Sequence, residues 1–107
     1  LACASPSSFV TRILGNLLSG DFTVKDGKLY DYLRLLDRSE HKRIEPSSCA
    51  AFAGPCGLLE LEGSKDYCAR HGLTQEKLAN SVQIAWATGG RLVPAEIWDQ
   101  YLSTHMD

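Results

Sequence analysis

Four cysteines, Cys3, Cys49, Cys56 and Cys68, in a chain of 107 residues constrain the fold more than any other feature. An even cysteine count in so short a chain is the mark of a cross-linked domain, and two disulfides are expected. Three pairings exist. If Cys49 and Cys56 share one continuous helix, they stand roughly 10 Å apart, beyond the reach of a disulfide. The Gly54-Pro55 pair between them weakens this exclusion, and the favoured arrangement has Cys3 and Cys68 each reaching to one of the central pair. Closing such long loops stabilises a small fold by roughly 2 to 4 kcal/mol per bond. A zinc site would draw on Cys49, Cys56, Cys68 and His71, but the spacing of Cys49 and Cys56 lacks the tight knuckle that structural zinc prefers, so no metal is expected. A cysteine nucleophile would need His41, His71 or His105 as its base, and no spacing brings one such pair together.

Disulfides belong to an oxidising compartment, so a periplasmic or secreted protein is expected. The start at Leu1-Ala2-Cys3 reads as the product of a removed leader, and also as the tail of a bacterial lipobox in which Cys3 is lipidated. Lipidation would leave an odd number of cysteines. A hydrophobic content of 44% over this length fills one packed core, so residues 1–107 read as a single helical domain. The net charge of -2 is spread without like-charged runs, which argues against nucleic acid or a polybasic membrane surface as partner. No run of about 18 apolar residues suggests a membrane span.

The apolar spacing predicts about five helices in a mainly α bundle. Ser5-Pro6 opens the first, Phe9, Val10, Ile13, Leu14, Leu17 and Leu18 repeat at helical spacing, and Gly20 closes it. Asp26-Gly27 between short alternating runs signals a short β-hairpin near 22–30, with a turn leading into a helix as the alternative. Tyr32, Leu33, Leu35 and Leu36 fit a second helix that dissolves into the charged connector 37–43. Pro46 restarts helical structure, Gly54-Pro55 breaks or kinks it, and Gly63-Ser64 ends it. Thr74 caps a fourth helix whose Leu78, Val82, Ala85 and Trp86 share a face, and Gly89-Gly90 stops it. Pro94 begins a fifth with Ile97, Trp98, Tyr101 and Leu102 as its stripe. Trp86 and Trp98 are the expected core anchors.

No Gly-rich phosphate loop, Gly-x-Ser-x-Gly elbow, His-Glu-x-x-His or paired-carboxylate motif occurs, so neither enzymatic activity nor a cofactor is expected. Glu60 and Glu62 stand two apart and do not face each other on a helix.

The run Cys68-Ala69-Arg70-His71-Gly72-Leu73-Thr74, followed by Leu78 and Val82 and then by Pro94-Ala95, resembles the periplasmic Rap/Tai immunity proteins. The likeness covers residues 49–102. It departs from the family pattern at Arg70, at Gly89-Gly90 and in lacking a final cysteine. The resemblance implies a protein that binds and occludes a peptidoglycan amidase delivered by type VI secretion, with Cys49 or Cys56 as the upstream partner of Cys68. Its partner-binding loops would hold Ser64, Lys65, Asp66, Arg70 and His71, or the connector Arg38 to Arg43. The rival reading is a secreted helical effector or chaperone-like protein with a host or lipid target. Trp98 and Tyr101 would serve a homodimer if they were not core.

Overall fold

The structure is a computed structural model that describes residues 5–107; Cys3, with the lipobox reading attached to it, lies outside the described residues. The described residues form six α-helices and one 3-10 helix: α1 Ser8–Leu14, α2 Asp26–Glu40, the 3-10 helix Pro46–Phe52, α3 Ala53–Glu60, α4 Glu62–Arg70, α5 Gln75–Ala79 and α6 Ala95–Ser103. The mainly α expectation holds. No β-strand occurs among the described residues.

Helix α2 is the spine. Leu29 and Leu33, four apart, sit on its buried face, while Asp26 stands in the first turn where the helix dipole favours a negative charge. The Asp-Gly pair therefore opens a helix rather than turning a hairpin. Gly27 is needed there because a Cβ would run into the backbone carbonyl of Met106, so the C-terminal tail can lie directly on the helix. Arg34 holds that tail by donating to the Thr104 carbonyl and to Asp31 at 2.7 Å. The charged residues 37–40, expected as connector, extend α2 to Glu40, and His41 ends it in the left-handed region with φ 52°.

Against α2 pack the 3-10 helix and α6, and the core forms where the three meet. Leu33 and Cys49 are sealed from solvent, and Trp98 joins them. Around these lie Tyr32, Ile44, Phe52, Val93, Tyr101 and Leu102. Trp98 meets Tyr101 edge-on at 5.7 Å, and the Arg43 guanidinium stands 5.9 Å over its ring. Burying Leu33 and Trp98 stabilises the fold by about 2 to 3 kcal/mol each. Trp98 is a core anchor as expected. Trp86 is not: it is 78% exposed.

The cross-linked bundle is corrected. Cys49, Cys56 and Cys68 are all free thiols, with Cys49 buried, Cys56 exposed and Cys68 in between. The physical reason lies in placement: Cys49 faces the core between Leu33 and Trp98, whereas Cys68 points back to the Leu58 carbonyl at 3.9 Å on the α3–α4 pair. The exported setting rested on those cross-links and draws no support from three free thiols.

Two further boundaries moved. Ser7, not Ser5, caps α1, accepting the Val10 N–H, and the helix closes at Gly15 with one extra turn reaching Leu18. Leu61, in an extended conformation, separates α3 from α4, so Gly63 and Ser64 begin a new helix instead of ending one. At Gly54-Pro55 the chain changes from 3-10 to α geometry, and the ring of Pro55 is tolerated because it sits in the first turn of α3.

Candidate functional site

Two segments far apart in the chain converge, Glu45-Pro46-Ser47-Ser48 at the start of the 3-10 helix and Thr88-Gly89-Gly90, forty residues later. Pro46 in the first turn of that helix turns Ser48 inward, where it is a buried polar side chain beside Cys49. Its Oγ accepts the backbone N–H of Thr88 at 3.2 Å and of Gly89 at 3.0 Å, and lies 2.9 Å from Thr88 Oγ1. From the other side, the Glu45 N–H donates to the Gly89 carbonyl at 3.1 Å. Gly90 adopts φ 129°, and a Cβ on it would sit 2.5 Å from Ile44 Cα, so only glycine allows the loop to lie flat on residues 44 and 45.

Proton accounting favours one polarity for this cluster. A hydroxyl oxygen has two acceptor sites, and two N–H groups fill both on Ser48. Its own proton then has two acceptors in reach, Thr88 Oγ1 at 2.9 Å and the Gly89 carbonyl at 3.5 Å, and the shorter contact favours Thr88, which leaves the Thr88 proton to be donated outward. Thr88 is exposed, and the Glu45 carboxylate lies alongside Gly89. The arrangement presents one pre-oriented hydroxyl donor at the rim of a rigid loop, suited to hold an acceptor atom of a small ligand.

The neighbouring Cys49 thiol is held protonated. Burial raises Cys49 to about 11, and no charged partner offsets it, so this cysteine is a poor nucleophile. Burial also raises the Tyr32 phenol, with the nearby Cys56 thiol adding to the effect. Asp31 is lowered, chiefly by its hydrogen bond from Arg34. Among the described residues, no group of three or more His, Cys, Asp or Glu is placed to hold a metal.

The residues expected to contact a partner are dispersed along α4 rather than gathered in a loop. Ser64 donates to the Gly57 carbonyl at 2.9 Å and ties α3 to α4. Lys65 is paired with Glu62 at 2.6 Å, and the Asp66 carbonyl accepts from Arg70 at 3.4 Å. His71 stacks on Tyr67 with ring centres 4.3 Å apart. Of the five, Ser64 and Arg70 line an open groove of about 1040 Å³ between α3, α4 and residues 83–86. Sequence reasoning missed Ser48, Thr88 and Glu45, because nothing in local spacing joins residues forty apart. The available signal was the run Val82-Gln83-Ile84-Ala85-Trp86-Ala87, whose period of two, ahead of Thr-Gly-Gly, reads as a strand feeding a tight loop.

No family model matches the chain. Curated relatives do. The chain is 49% identical over 106 residues, 99% of its length, to a probable D-serine dehydratase of Fusobacterium nucleatum, of which it covers 24%. It is 46% identical over 103 residues to a probable D-serine dehydratase of Histophilus somni, covering 96% of this chain and 23% of that one. With the D-serine dehydratase of Yersinia enterocolitica it shares 39% identity over 104 residues, 97% of this chain and 23% of the relative. The chain thus spans about a quarter of the length of the curated relatives it matches.

These relatives overturn the immunity-protein resemblance, and with it the expectations of a non-enzymatic inhibitor and of an amidase toxin as partner. The effector or chaperone-like alternative finds no support in them either. The short run from Cys68 to Thr74 that suggested the family has a local cause: Gly72 takes the positive φ of 60° that ends a helix, and Thr74 caps the next by accepting the Lys77 N–H at 3.2 Å. A glycine at the end of one helix and a hydroxyl cap opening the next are common to many helix pairs. Lys65, Asp66 and His71 make the local contacts described above, and Arg70 also lines the groove.

Proposed function

We propose that this chain is the part of a D-serine dehydratase that carries the Ser48–Thr88 loop site, and that residues 1–107 act there as one helical unit. The observation that supports the reading is identity of 39% to 49% over nearly the whole chain with proteins bearing that name. Dehydration of D-serine removes a hydrogen from Cα and the hydroxyl from Cβ, and the resulting enamine hydrolyses to pyruvate and ammonia. Such a reaction needs its substrate, or the group that activates it, held in one orientation while charge shifts along the Cα–Cβ bond. The outward Thr88 hydroxyl, held 2.9 Å from Ser48 Oγ, serves that need by hydrogen bonding. It holds a ligand and does not itself abstract a proton.

The test replaces the matching quarter of the Fusobacterium relative with this chain and follows pyruvate release from D-serine and L-serine. The chimera is expected to act on D-serine. Thr88→Val, which keeps shape and removes the donor, is expected to lower kcat/KM about tenfold, the worth of one hydrogen bond to a bound ligand. A soluble, folded chimera without D-serine turnover refutes the reading.

A further inference from the structure

We infer that the Glu45 carboxylate is a subsite for a primary ammonium, so that an amino-acid substrate is held at this loop by two groups, its acceptor atom on the Thr88 hydroxyl and its amino group on Glu45. The inference rests on the reading just given and deepens it, naming the part of the substrate that each side chain takes.

Burial and charge single Glu45 out. Most Asp and Glu side chains among the described residues are exposed, where water solvates the charge and no partner is needed. Two are half-buried, Asp37 and Glu45. Asp37 is met by the Arg43 guanidinium at 3.1 Å, and that guanidinium also stands over the Trp98 ring, so the cation two residues before Glu45 is committed elsewhere. The Glu45 carboxylate makes no ion pair or hydrogen bond with any described residue. A carboxylate drawn partly out of water without a counter-charge is unfavourable, and an arriving cation reverses this. The backbone beneath it is set in advance: the Glu45 N–H donates to the Gly89 carbonyl at 3.1 Å, and its carbonyl accepts the Ser48 N–H at 3.0 Å. Little further ordering opposes binding.

Gly89 shows where the carboxylate lies. A Cβ on that residue would stand 2.9 Å from Glu45 Oε1 and 3.3 Å from Oε2, so the carboxylate fills the space that the missing side chain leaves. Thr88 is the residue before it, and since adjacent Cα atoms are about 3.8 Å apart, the carboxylate lies within about 8 Å of the Thr88 Cα. Two hydrogen bonds of about 2.8 Å, with the short body of an α-amino acid between them, span that gap. An ammonium brings three N–H donors and a full charge to a group that only accepts. A metal ion needs more ligands than one carboxylate, and no group of three or more His, Cys, Asp or Glu among the described residues supplies them. A hydroxy acid carries the same acceptor atoms and no cation, so this pair of side chains distinguishes amino acids from hydroxy acids.

Calorimetric titration of the chimera with the Fusobacterium relative tests this, using D-alanine and D-lactate as probes. D-lactate carries a hydroxyl where D-alanine carries its ammonium, and neither has a β-hydroxyl to lose. D-alanine is expected to bind the more tightly of the two. Glu45→Gln is expected to weaken D-alanine about tenfold and D-lactate less than about twofold. Gly89→Ala supplies an independent variant that keeps the charge: the φ of Gly89 is not positive, so the backbone accepts alanine, while the new methyl displaces the carboxylate. It is expected to weaken D-alanine about threefold or more and to spare D-lactate. If Glu45→Gln does not fold, the Gly89→Ala result decides alone. Equal losses for both probes, or no loss for either, overturn the proposal. So does a lower urea midpoint of the unliganded Glu45→Gln chimera without a selective loss, which would pair Glu45 with a cation elsewhere in the polypeptide. A chimera that binds D-alanine through Glu45 yet releases no pyruvate from D-serine leaves the subsite standing and removes the functional reading. One that turns over D-serine with KM unchanged by Glu45→Gln does the reverse.

Discussion

Replacing Ser48 with alanine removes one oxygen and disturbs four interactions, the longest of them the 3.5 Å contact of its hydroxyl with the Gly89 carbonyl. The Thr88 and Gly89 N–H groups lose their acceptor, at 3.2 and 3.0 Å, and the Thr88 hydroxyl loses its donor at 2.9 Å. A hydrogen bond of this kind contributes about 1 kcal/mol net, and a donor left buried without a partner costs about 1 to 3 kcal/mol. Gly89 is half-buried, so its N–H is only partly recovered by water, while exposed Thr88 is readily hydrated. The expected loss is therefore about 2 to 3 kcal/mol. In a urea titration with a slope of about 1.5 kcal/mol per molar, the midpoint falls by about 1.3 to 2 M at unchanged slope. Ser47→Ala, one residue earlier and without a hydrogen bond of its side chain among the described residues, should shift stability by less than about 0.5 kcal/mol. If Ser48→Ala matches Ser47→Ala, or if the Thr88 and Gly89 amides keep their exchange protection without the hydroxyl, then Ser48 does not hold the loop.

Gly90→Ala forces a Cβ to 2.5 Å from Ile44 Cα at a φ of 129°, and should cost more than about 3 kcal/mol in the same titration, whereas Gly20→Ala, with nothing within 4 Å, should be nearly silent. Cys49 keeps its proton to about 11 in the folded chain against 9.0 ordinarily, so its contribution is complete below pH 9 and is lost as pH rises from 9 toward 11, by up to about 3 kcal/mol. Urea midpoints from pH 8 to 11 should show that slope and Cys49→Ala should flatten it, while iodoacetamide followed by peptide mapping should modify exposed Cys56 and spare Cys49.

Much of the helical framework was legible in local chemistry. Thr74 capping α5, the Pro94-Ala95 start of α6 and the stripe through Trp98, Tyr101 and Leu102 are decided within a turn or two of chain, where hydroxyl caps, proline and apolar spacing act directly. The errors share one origin, the treatment of non-local choices as local ones. Val82 and Trp86 fit a helical face four apart, but Val82, Ile84 and Trp86 fit a strand equally well, and the chain leaves the helix at Asn80. Four cysteines permit cross-links by count, yet pairing needs Cα atoms within about 7 Å, and burial of Cys49 in the core takes it elsewhere.

By itself, then, the sequence determined a mainly helical chain with Trp98 at its centre, because periodicity and capping are properties of neighbours. Only the tertiary structure decided that Ser48 reaches Thr88 and Gly89 across forty residues, that Gly90 must be glycine and that Trp86 faces outward. Those outcomes depend on which surfaces meet in space, and no local spacing encodes them.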